Sequence, residues 1–297
     1  LLLAPHAFAY SPDPVRLERA AREGKVVVYA ATDQSVVQPL IDDFQARHPG
    51  IRVEYHDINS SDLYNRVVSE AEQGGKADIA WSSAMDLQVK LVNDGYAQPH
   101  QSRETAALPE WAVWKNEAFG TTYEPAAIIY NRRLLRSEDV PRTHASLLRL
   151  VKANSTRWQG RIVTYDPAQS GVGMLLHSQD AQANPSVFWQ LAQAFGDNRV
   201  ALDASTNAMI DRIARGEALI GYNLLGSYAD SRARTDDALG VIWPQDYTLV
   251  LTRVAFILRN ARHPEAARLW LDHLLSAHGQ ALLAERAGLF SVREDAD

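Results

Sequence analysis

The sequence feature that most restricts the fold is a glycine-containing turn between an apolar run and a helix. Residues 161–165, Arg-Ile-Val-Thr-Tyr, are typical of a buried strand, and Ser170 is placed to cap the helix that follows. Gly171, Val172 and Gly173 form the first turn of that helix. Glycine lets the backbone approach a bound group, and the unpaired N–H groups at a helix N-terminus attract an anion. We therefore predict an anion-binding junction here, with a tight turn and a solvated cap as the alternative.

Strands and helices alternate before this turn, and each strand-to-helix junction carries polar side chains. Apolar runs predict strands at 25–31, 51–55 and 78–81, each followed by a helix. In open parallel α/β sheets, ligands bind beyond the carboxyl ends of the strands, so these junctions are expected to share one ligand site. Their candidate ligand-binding residues are Thr32, Asp33, Ser60, Ser61, Ser82 and Ser83.

A second α/β unit is predicted to open after residues 120–125, with a strand at 126–130. Ser205 and Thr206 mark another polar helix entry. The run 217–223 is predicted to be a strand that delivers its last residues, Tyr222 and Asn223, to the ligand site.

The C-terminal part contains a β-rich run at 248–258 and then two helices, beginning at Pro264 and Ser276. No strand follows these helices, so we expect them to pack back on the first α/β unit, which forms the first of two lobes. We find no internal repeat and no low-complexity linker, which favours strands that cross between the lobes.

Length and composition limit the function classes. At 297 residues the chain suits two lobes of roughly 100–200 residues. The net charge of −6 argues against nucleic acid as a partner. The chain has no cysteine, which excludes disulfides, thiolate metal sites and cysteine nucleophiles.

The first nine residues resemble the end of a secretory signal. A short apolar run closes on Ala7-Phe8-Ala9, an A-x-A cleavage pattern. We predict that residues 1–9 are a residual signal peptide and that the mature protein begins near Tyr10 and is exported. A frayed N-terminus is the alternative. No other apolar run reaches the roughly 18 residues of a membrane span.

Several motifs together resemble the periplasmic solute-binding proteins of ABC transporters. The resemblance extends to the branch that includes ferric-ion, 2-aminoethylphosphonate, hexose-phosphate and phosphoglycerate binding proteins, and it covers essentially the whole mature chain. The residues that carry it are Gly24–Tyr29, Lys76–Ser82, Gly120–Tyr123 with Ile129–Asn131, Asp166–Gly173 and Arg215–Ala218.

The resemblance implies an α/β, two-lobed periplasmic-binding-protein fold of type II, with a ligand cleft between lobes joined by two crossover strands. We expect the crossovers near 122–127 and 248–258. The first lobe is then 10–123 plus 250–297, and the second lobe is 124–249. Hinge closure of the lobes would capture the ligand.

The same resemblance implies a monomer that delivers a small molecule to an ABC transporter permease in the inner membrane, without a cofactor. A subunit that presents ligand to a periplasmic sensor kinase would use the same closure and stays an alternative. An enzyme is a further alternative, but the chain has no P-loop, H-E-x-x-H or G-x-S-x-G motif, and its Gly171-Val172-Gly173 is followed by Leu176 instead of a third glycine.

Ferric members of this branch hold the metal with a histidine, a glutamate and an adjacent tyrosine pair, and this chain departs from that pattern. The histidine position falls at about Asp33, the glutamate at about Ser83 and the tyrosine pair near 223–224. Hydroxyls and helix N-termini suit an anion better than a hard cation, so we predict an organic anion bound without a metal. A ferric site remains the alternative, because Tyr222 and Tyr228 are both candidates for the cleft.

Arg253 lies in the otherwise apolar run 250–257, where an unpaired charge would be costly to bury. We predict that it clamps a ligand carboxylate or phosphate bidentately. An internal salt bridge to Asp246 or Glu124 is the alternative. Tyr123 and Asp246, beside the crossovers, are predicted to orient a ligand hydroxyl or amine.

Overall fold

The structure, a computed structural model, describes residues 13–153 and 155–295, except for the side chain of Ser155. The predicted signal remnant at residues 1–9 lies outside the described residues and stays a prediction. Within the described part, no helix is both long enough and apolar enough to cross a bilayer.

Helices and strands alternate as the sequence predicts. The strands are β1 (Lys25–Ala30), β2 (Arg52–Asp57), β3 (Ile79–Ser82), β4 (Val113–Trp114), β5 (Ala118–Gly120), β6 (Glu124–Asn131), β7 (Ile162–Tyr165), β8 (Ala201–Asp203), β9 (Ile220–Leu225), β10 (Leu239–Ile242), β11 (Val250–Leu251) and β12 (Val254–Ile257). The helices are α1 (Pro14–Glu23), α2 (Gln34–Arg47), α3 (Ser60–Ala71), α4 (Met85–Asn93), α5 (Arg103–Ala106), α6 (His144–Ala153), α7 (Ser155–Trp158), α8 (Gly171–Ala183), α9 (Pro185–Asp197), α10 (Thr206–Ala214), α11 (Gly226–Ala233), α12 (Pro264–Leu275) and α13 (Ala277–Arg286). Single 3-10 turns lie at Glu110–Ala112 and Ser137–Asp139.

The strands form two sheets, whose elements we call the first and second lobes. The first sheet has the order β2-β1-β3-β12-β5-β4, in which β1 is parallel to β2 and β3. The second has the order β10-β6-β9-β7-β8, with β11 paired to β6 and with β7 parallel to β8 and β9. The predicted α/β class is confirmed. Strands β4, β5, β8 and β10, of two to four residues each, are additions that the sequence did not indicate.

The chain crosses between the sheets at two adjacent places. The first crossing lies between β5 and β6, and the second lies at Thr252–Arg253, between β11 and β12. The N–H of Thr121 donates to the carbonyl oxygen of Arg253 at 2.8 Å, so the two crossings touch. The run predicted as one β-rich segment at 248–258 is therefore two strands in different sheets. The assignment of 10–123 plus 250–297 and of 124–249 to separate lobes stays a prediction.

The two C-terminal helices pack on the first lobe, as predicted. Helix α12 lies against α1, β1 and β12, and α13 lies against α2. Trp270 is fully buried and meets Phe44 of α2 edge-on, with 5.1 Å between the ring centroids. Helix α12 covers β1, whose residues after Lys25 are all buried.

One buried histidine in this packing should make the fold acid-sensitive. Burial lowers the pKa of His273 from 6.5 to about 4. The unfolded chain therefore binds an extra proton between those two values, so this part of the stability is present above pH 6.5 and is lost as the pH falls towards 4. We expect His273→Met to reduce that loss by on the order of 2–3 kcal/mol.

The measurement is the free energy of unfolding in urea at pH 7, 5.5 and 4.5. His56→Gln is the control, because its side chain is 38% exposed. An unchanged slope of stability against pH in the His273 variant would contradict this prediction.

Candidate functional site

A cavity of about 250 Å³ lies between the lobes, at the carboxyl ends of strands from both sheets. It brings together residues from five of the junctions that the sequence singled out. The predicted residues that line it are Asp33, Ser60, Ser83, Ser170, Val172, Ser205, Thr206 and Arg253. This convergence follows from the parallel strands, whose carboxyl ends meet at one edge of each sheet.

Several helices begin at this cavity, and three of them have a capping side chain there: α3 from the first lobe, and α8 and α10 from the second. The side chains of Asn59, Ser170 and Ser205 cap α3, α8 and α10 by accepting from the third backbone N–H of each helix, at 2.9, 3.1 and 3.2 Å. Each cap satisfies one backbone N–H of its helix. The first backbone N–H of each helix, at Ser60, Gly171 and Thr206, has no partner among the residues that the structure describes. The cavity therefore faces the positive ends of three helix dipoles.

The lobes touch across the cavity, so the structure is a closed state. The N–H of Val172 donates to the Ser60 hydroxyl at 3.3 Å, and the side-chain amide of Asn207 donates to Asp33 at 3.1 Å. Gly171 allows this approach: a Cβ there would lie 2.9 Å from the Ser60 hydroxyl and 3.0 Å from a methyl of Leu87.

Arg253 is fully buried beside the cavity and forms an ion pair with Glu124. Its Nε and Nη2 donate to the two carboxylate oxygens, and Nη1 donates to the Thr32 hydroxyl at 2.7 Å. Burial lowers the pKa of Arg253, but the Glu124 carboxylate more than offsets this effect. The net pKa lies above the usual value for arginine, so the guanidinium stays charged. The structure thus shows the alternative to the predicted ligand clamp, an internal salt bridge to Glu124. The guanidinium of Arg253 is not free to bind a ligand bidentately. Thr32 supports Arg253 instead of lining the cavity.

Glu124 also accepts hydrogen bonds from one hydroxyl on the first crossing and from one hydroxyl in the second lobe. The Thr122 hydroxyl donates to one carboxylate oxygen at 3.0 Å, and the Ser227 hydroxyl donates to the other at 2.7 Å. Each oxygen of this fully buried carboxylate therefore has two partners, which is what a buried charge requires.

Tyr222, Asn223 and Asp246 do not line this cavity, contrary to the sequence prediction. The hydroxyls of Tyr222 and Tyr247 and the amide of Asn223 all donate to the buried carboxylate of Asp180. Strand β9 continues to Leu225, so Tyr222 and Asn223 lie within it and not at its end.

Asp246 belongs to the same cluster on its outer side. It accepts from the backbone N–H and from Nδ1 of His144, both at 3.0 Å. His144 in turn stacks on Tyr247, with ring centroids 4.1 Å apart. The cluster thus joins α6, α8, β9 and the segment before β11 inside the second lobe.

The remaining predicted residues do not line the cavity. Ser61 follows Ser60 in the first turn of α3, and the Ser82 hydroxyl accepts from the N–H of Ala84 at 3.2 Å. Gly173 lies behind Ser170, where a Cβ would come within 2.3 Å of Tyr165. Tyr123 lies on the crossover, 47% exposed.

Two polar residues that line the cavity, Asp57 and Asn59, were not among the sequence candidates, and Tyr228, which also lines it, was a candidate only for a ferric site. Asp57 accepts from the N–H of Gln34 at 3.1 Å, at the start of α2. Burial raises the pKa of Asp57, and the neighbouring Asp33 carboxylate raises it further. The position of Asp57 at the end of a predicted strand was the signal that could have found it.

Comparisons with known proteins agree with this geometry. A family model described as bacterial extracellular solute-binding protein matches residues 30–281. A substrate-binding protein of an ABC transporter from Agrobacterium tumefaciens is 36% identical, with 92% of this chain and 80% of that chain covered and a TM-score of 0.89.

More distant structures share the fold. AfuA from Actinobacillus pleuropneumoniae, with fructose-6-phosphate bound, is 18% identical over 92% of this chain and 86% of that chain, with a TM-score of 0.79. Iron-bound HitA from Pseudomonas aeruginosa is 15% identical over 91% of this chain and 87% of that chain, with a TM-score of 0.77.

A curated relative, the phosphoglycerate transport regulatory protein PgtC of Salmonella typhimurium, is 25% identical over 129 residues. The match covers 43% of this chain and 32% of that protein, so it spans about a third of the relative's length.

Proposed function

Because this chain belongs to the bacterial extracellular solute-binding proteins, which bind solutes and are not enzymes, we propose that it captures a small organic anion by closure of its lobes. It acts in the periplasm as a monomer and delivers the ligand to the permease of an ABC importer in the inner membrane. The relative from Agrobacterium tumefaciens, named as the substrate-binding protein of an ABC transporter, supports this role.

The observation that carries the anion assignment is the convergence of α3, α8 and α10 on one cavity. Their free N–H groups and positive dipole ends come from both lobes, so an anion between them would hold the lobes together. A bare cation would meet the same ends of these dipoles unfavourably.

The carboxylates of Asp33 and Asp57 narrow the ligand class. Both line the cavity on the side of the first lobe, where they would repel a ligand that is anionic throughout. A hydroxyl or an amine on the ligand would pair with them. A hydroxylated phosphate ester, an aminophosphonate or a hydroxy acid satisfies both sides of the cavity. The phosphoglycerate and fructose-6-phosphate in the names of two related proteins are of this class.

Ferric ion is the second candidate cargo, because several proteins of the same fold are named for iron. Its support within this chain is weaker. Tyr222 is bound to Asp180 away from the cavity, which leaves Tyr228 without a tyrosine partner there. Across residues 13–153 and 155–295, no three His, Asp or Glu side chains are grouped as a metal site requires.

A ligand-presenting role in a two-component sensor is the third candidate. The word regulatory in the name of the Salmonella typhimurium relative favours it. The ligand and the closure would be the same, but the partner would be a sensor kinase instead of a permease.

The test is a thermal-shift screen of 3-phosphoglycerate, fructose-6-phosphate, 2-aminoethylphosphonate and citrate. A ligand present at a hundred times its Kd should stabilise the fold by about 2.7 kcal/mol. It should also reduce the radius of gyration in solution scattering, because the lobes close on it.

Ferric citrate is the matched control for the screen. We expect no visible tyrosinate-to-iron absorption band, and we expect a chelator to leave anion binding intact. Stoichiometric coloured iron, or tight anion binding without compaction, would contradict the proposal.

A further inference from the structure

The hydrogen bonds of Arg253 leave little of this residue for a ligand. Glu124 takes Nε and Nη2, while Thr32 and the carbonyl oxygen of Ala31 accept from Nη1 at 2.7 and 3.4 Å. A guanidinium has five N–H groups, so one is left. A further side-chain donor beside Arg253 would add to the N–H groups that the helix starts offer an anion.

Tyr228 is the side chain in that position. It follows the carboxyl end of β9, in the first turn of α11, and it lines the cavity directly beside Arg253. Its ring lies 5.2 Å from the guanidinium carbon of Arg253. The residue is 7% exposed, and its buried hydroxyl lies near the Asp33 carboxylate without completing a well-formed hydrogen bond to it or to any other residue that the structure describes.

A buried hydroxyl that lacks a well-formed hydrogen bond is costly, so its retention needs a reason. Other buried tyrosines of this chain have partners: the Tyr165 hydroxyl lies 2.5 Å from that of Thr206, and the Tyr29 hydroxyl donates to Glu70 at 3.0 Å. Burial raises the pKa of Tyr228, and although Arg253 opposes this shift, the Asp33 and Glu124 carboxylates add to it. The phenol therefore keeps its proton and is a donor.

We propose that Tyr228 is the specificity-determining side chain of the cavity, which donates its hydroxyl hydrogen to an oxygen of the ligand's anionic group. Arg253 stands behind it as a positioning residue, held by Glu124 and packed on the tyrosine ring. This places the anionic group where the two crossovers meet, next to α8 and α10, and leaves Asp33 and Asp57 for the rest of the ligand. The inference rests on the proposed function.

The experiment is Tyr228→Phe, which removes only the hydroxyl. The affinity for the tightest-binding compound of the four-anion panel should fall on the order of tenfold to a hundredfold, because a hydrogen bond to a charged group is lost. The melting temperature without ligand should stay the same or rise, because the variant no longer buries an unpaired hydroxyl. Tyr29→Phe is the matched control: it removes a paired phenol of the first lobe that does not line the cavity, and it should lower the melting temperature while the affinity stays unchanged.

Failure of the proposed function can be distinguished from failure of the inference about Tyr228. If the wild-type protein binds none of the four anions, the proposed function and this inference fall together. If the wild type binds one of them and Tyr228→Phe binds it equally well, only the inference is wrong. A coloured ferric complex that Tyr228→Phe abolishes would also overturn it, since the residue would then be a phenolate ligand and not a donor.

Discussion

Replacing Arg253 by methionine is expected to destabilise the ligand-free protein by about 3–5 kcal/mol, because it leaves the Glu124 carboxylate buried and uncompensated. Both side chains are at most 1% exposed, so neither charge is solvated in the folded protein. Glu124→Gln should cost a comparable amount, since it leaves the guanidinium unpaired. The measurement is the free energy of unfolding in urea without ligand.

The double variant tests whether the pair itself is responsible. Arg253→Met with Glu124→Gln should be less destabilised than the sum of the single variants, because neither charge is then left alone. Lys90→Met is the control: Lys90 and Asp94 form an exposed pair, for which less than about 1 kcal/mol is expected. A ligand clamp would behave differently, since its loss would weaken binding and leave the stability of the free protein almost unchanged. That pattern for Arg253→Met would show that the ion pair has little structural weight.

The fold was largely predictable because its determinants are local. Apolar runs such as 25–31, and polar helix entries such as Ser170 and Ser205, fix where strands end and helices begin. Parallel pairing of the strands then brings these helix N-termini to one cavity, and no knowledge of distant contacts is needed to predict it. The same local signals gave seven of the eight predicted residues that line it, and Arg253 is the eighth.

The parts that the sequence did not predict depend on distant partners. Glu124 and Arg253 are 129 residues apart in the chain, so an arginine in an apolar strand predicts a partner but does not say which one. Tyr222 was misplaced because β9 runs three residues beyond it and because Asp180, 42 residues away, binds its hydroxyl. Tyr228 was left as a possible iron ligand, since only the structure shows its ring beside Arg253.

Closure itself should depend on a single glycine. Valine at position 171 would place new atoms against Ser60 and Leu87, which belong to the opposite lobe, so it should oppose the closed state without disturbing either lobe. Overpacking of this kind costs about 1–3 kcal/mol, which predicts a ligand affinity about tenfold to a hundredfold lower. The decrease in radius of gyration on ligand addition should disappear, and the melting temperature of the free protein should not change.

Two other glycines provide matched controls. Gly173→Ala should lower the melting temperature of the free protein, because the new Cβ would lie 2.3 Å from Tyr165 within the same lobe. Gly196→Ala lies in α9 with nothing within 4 Å of its Cβ, so it should be neutral or slightly stabilising and leave binding unchanged. The three variants thus test the contact between the lobes, the packing within one lobe and the exposed surface separately. If Gly171→Val still compacts on ligand binding, the contact that closes the lobes does not lie at the start of α8.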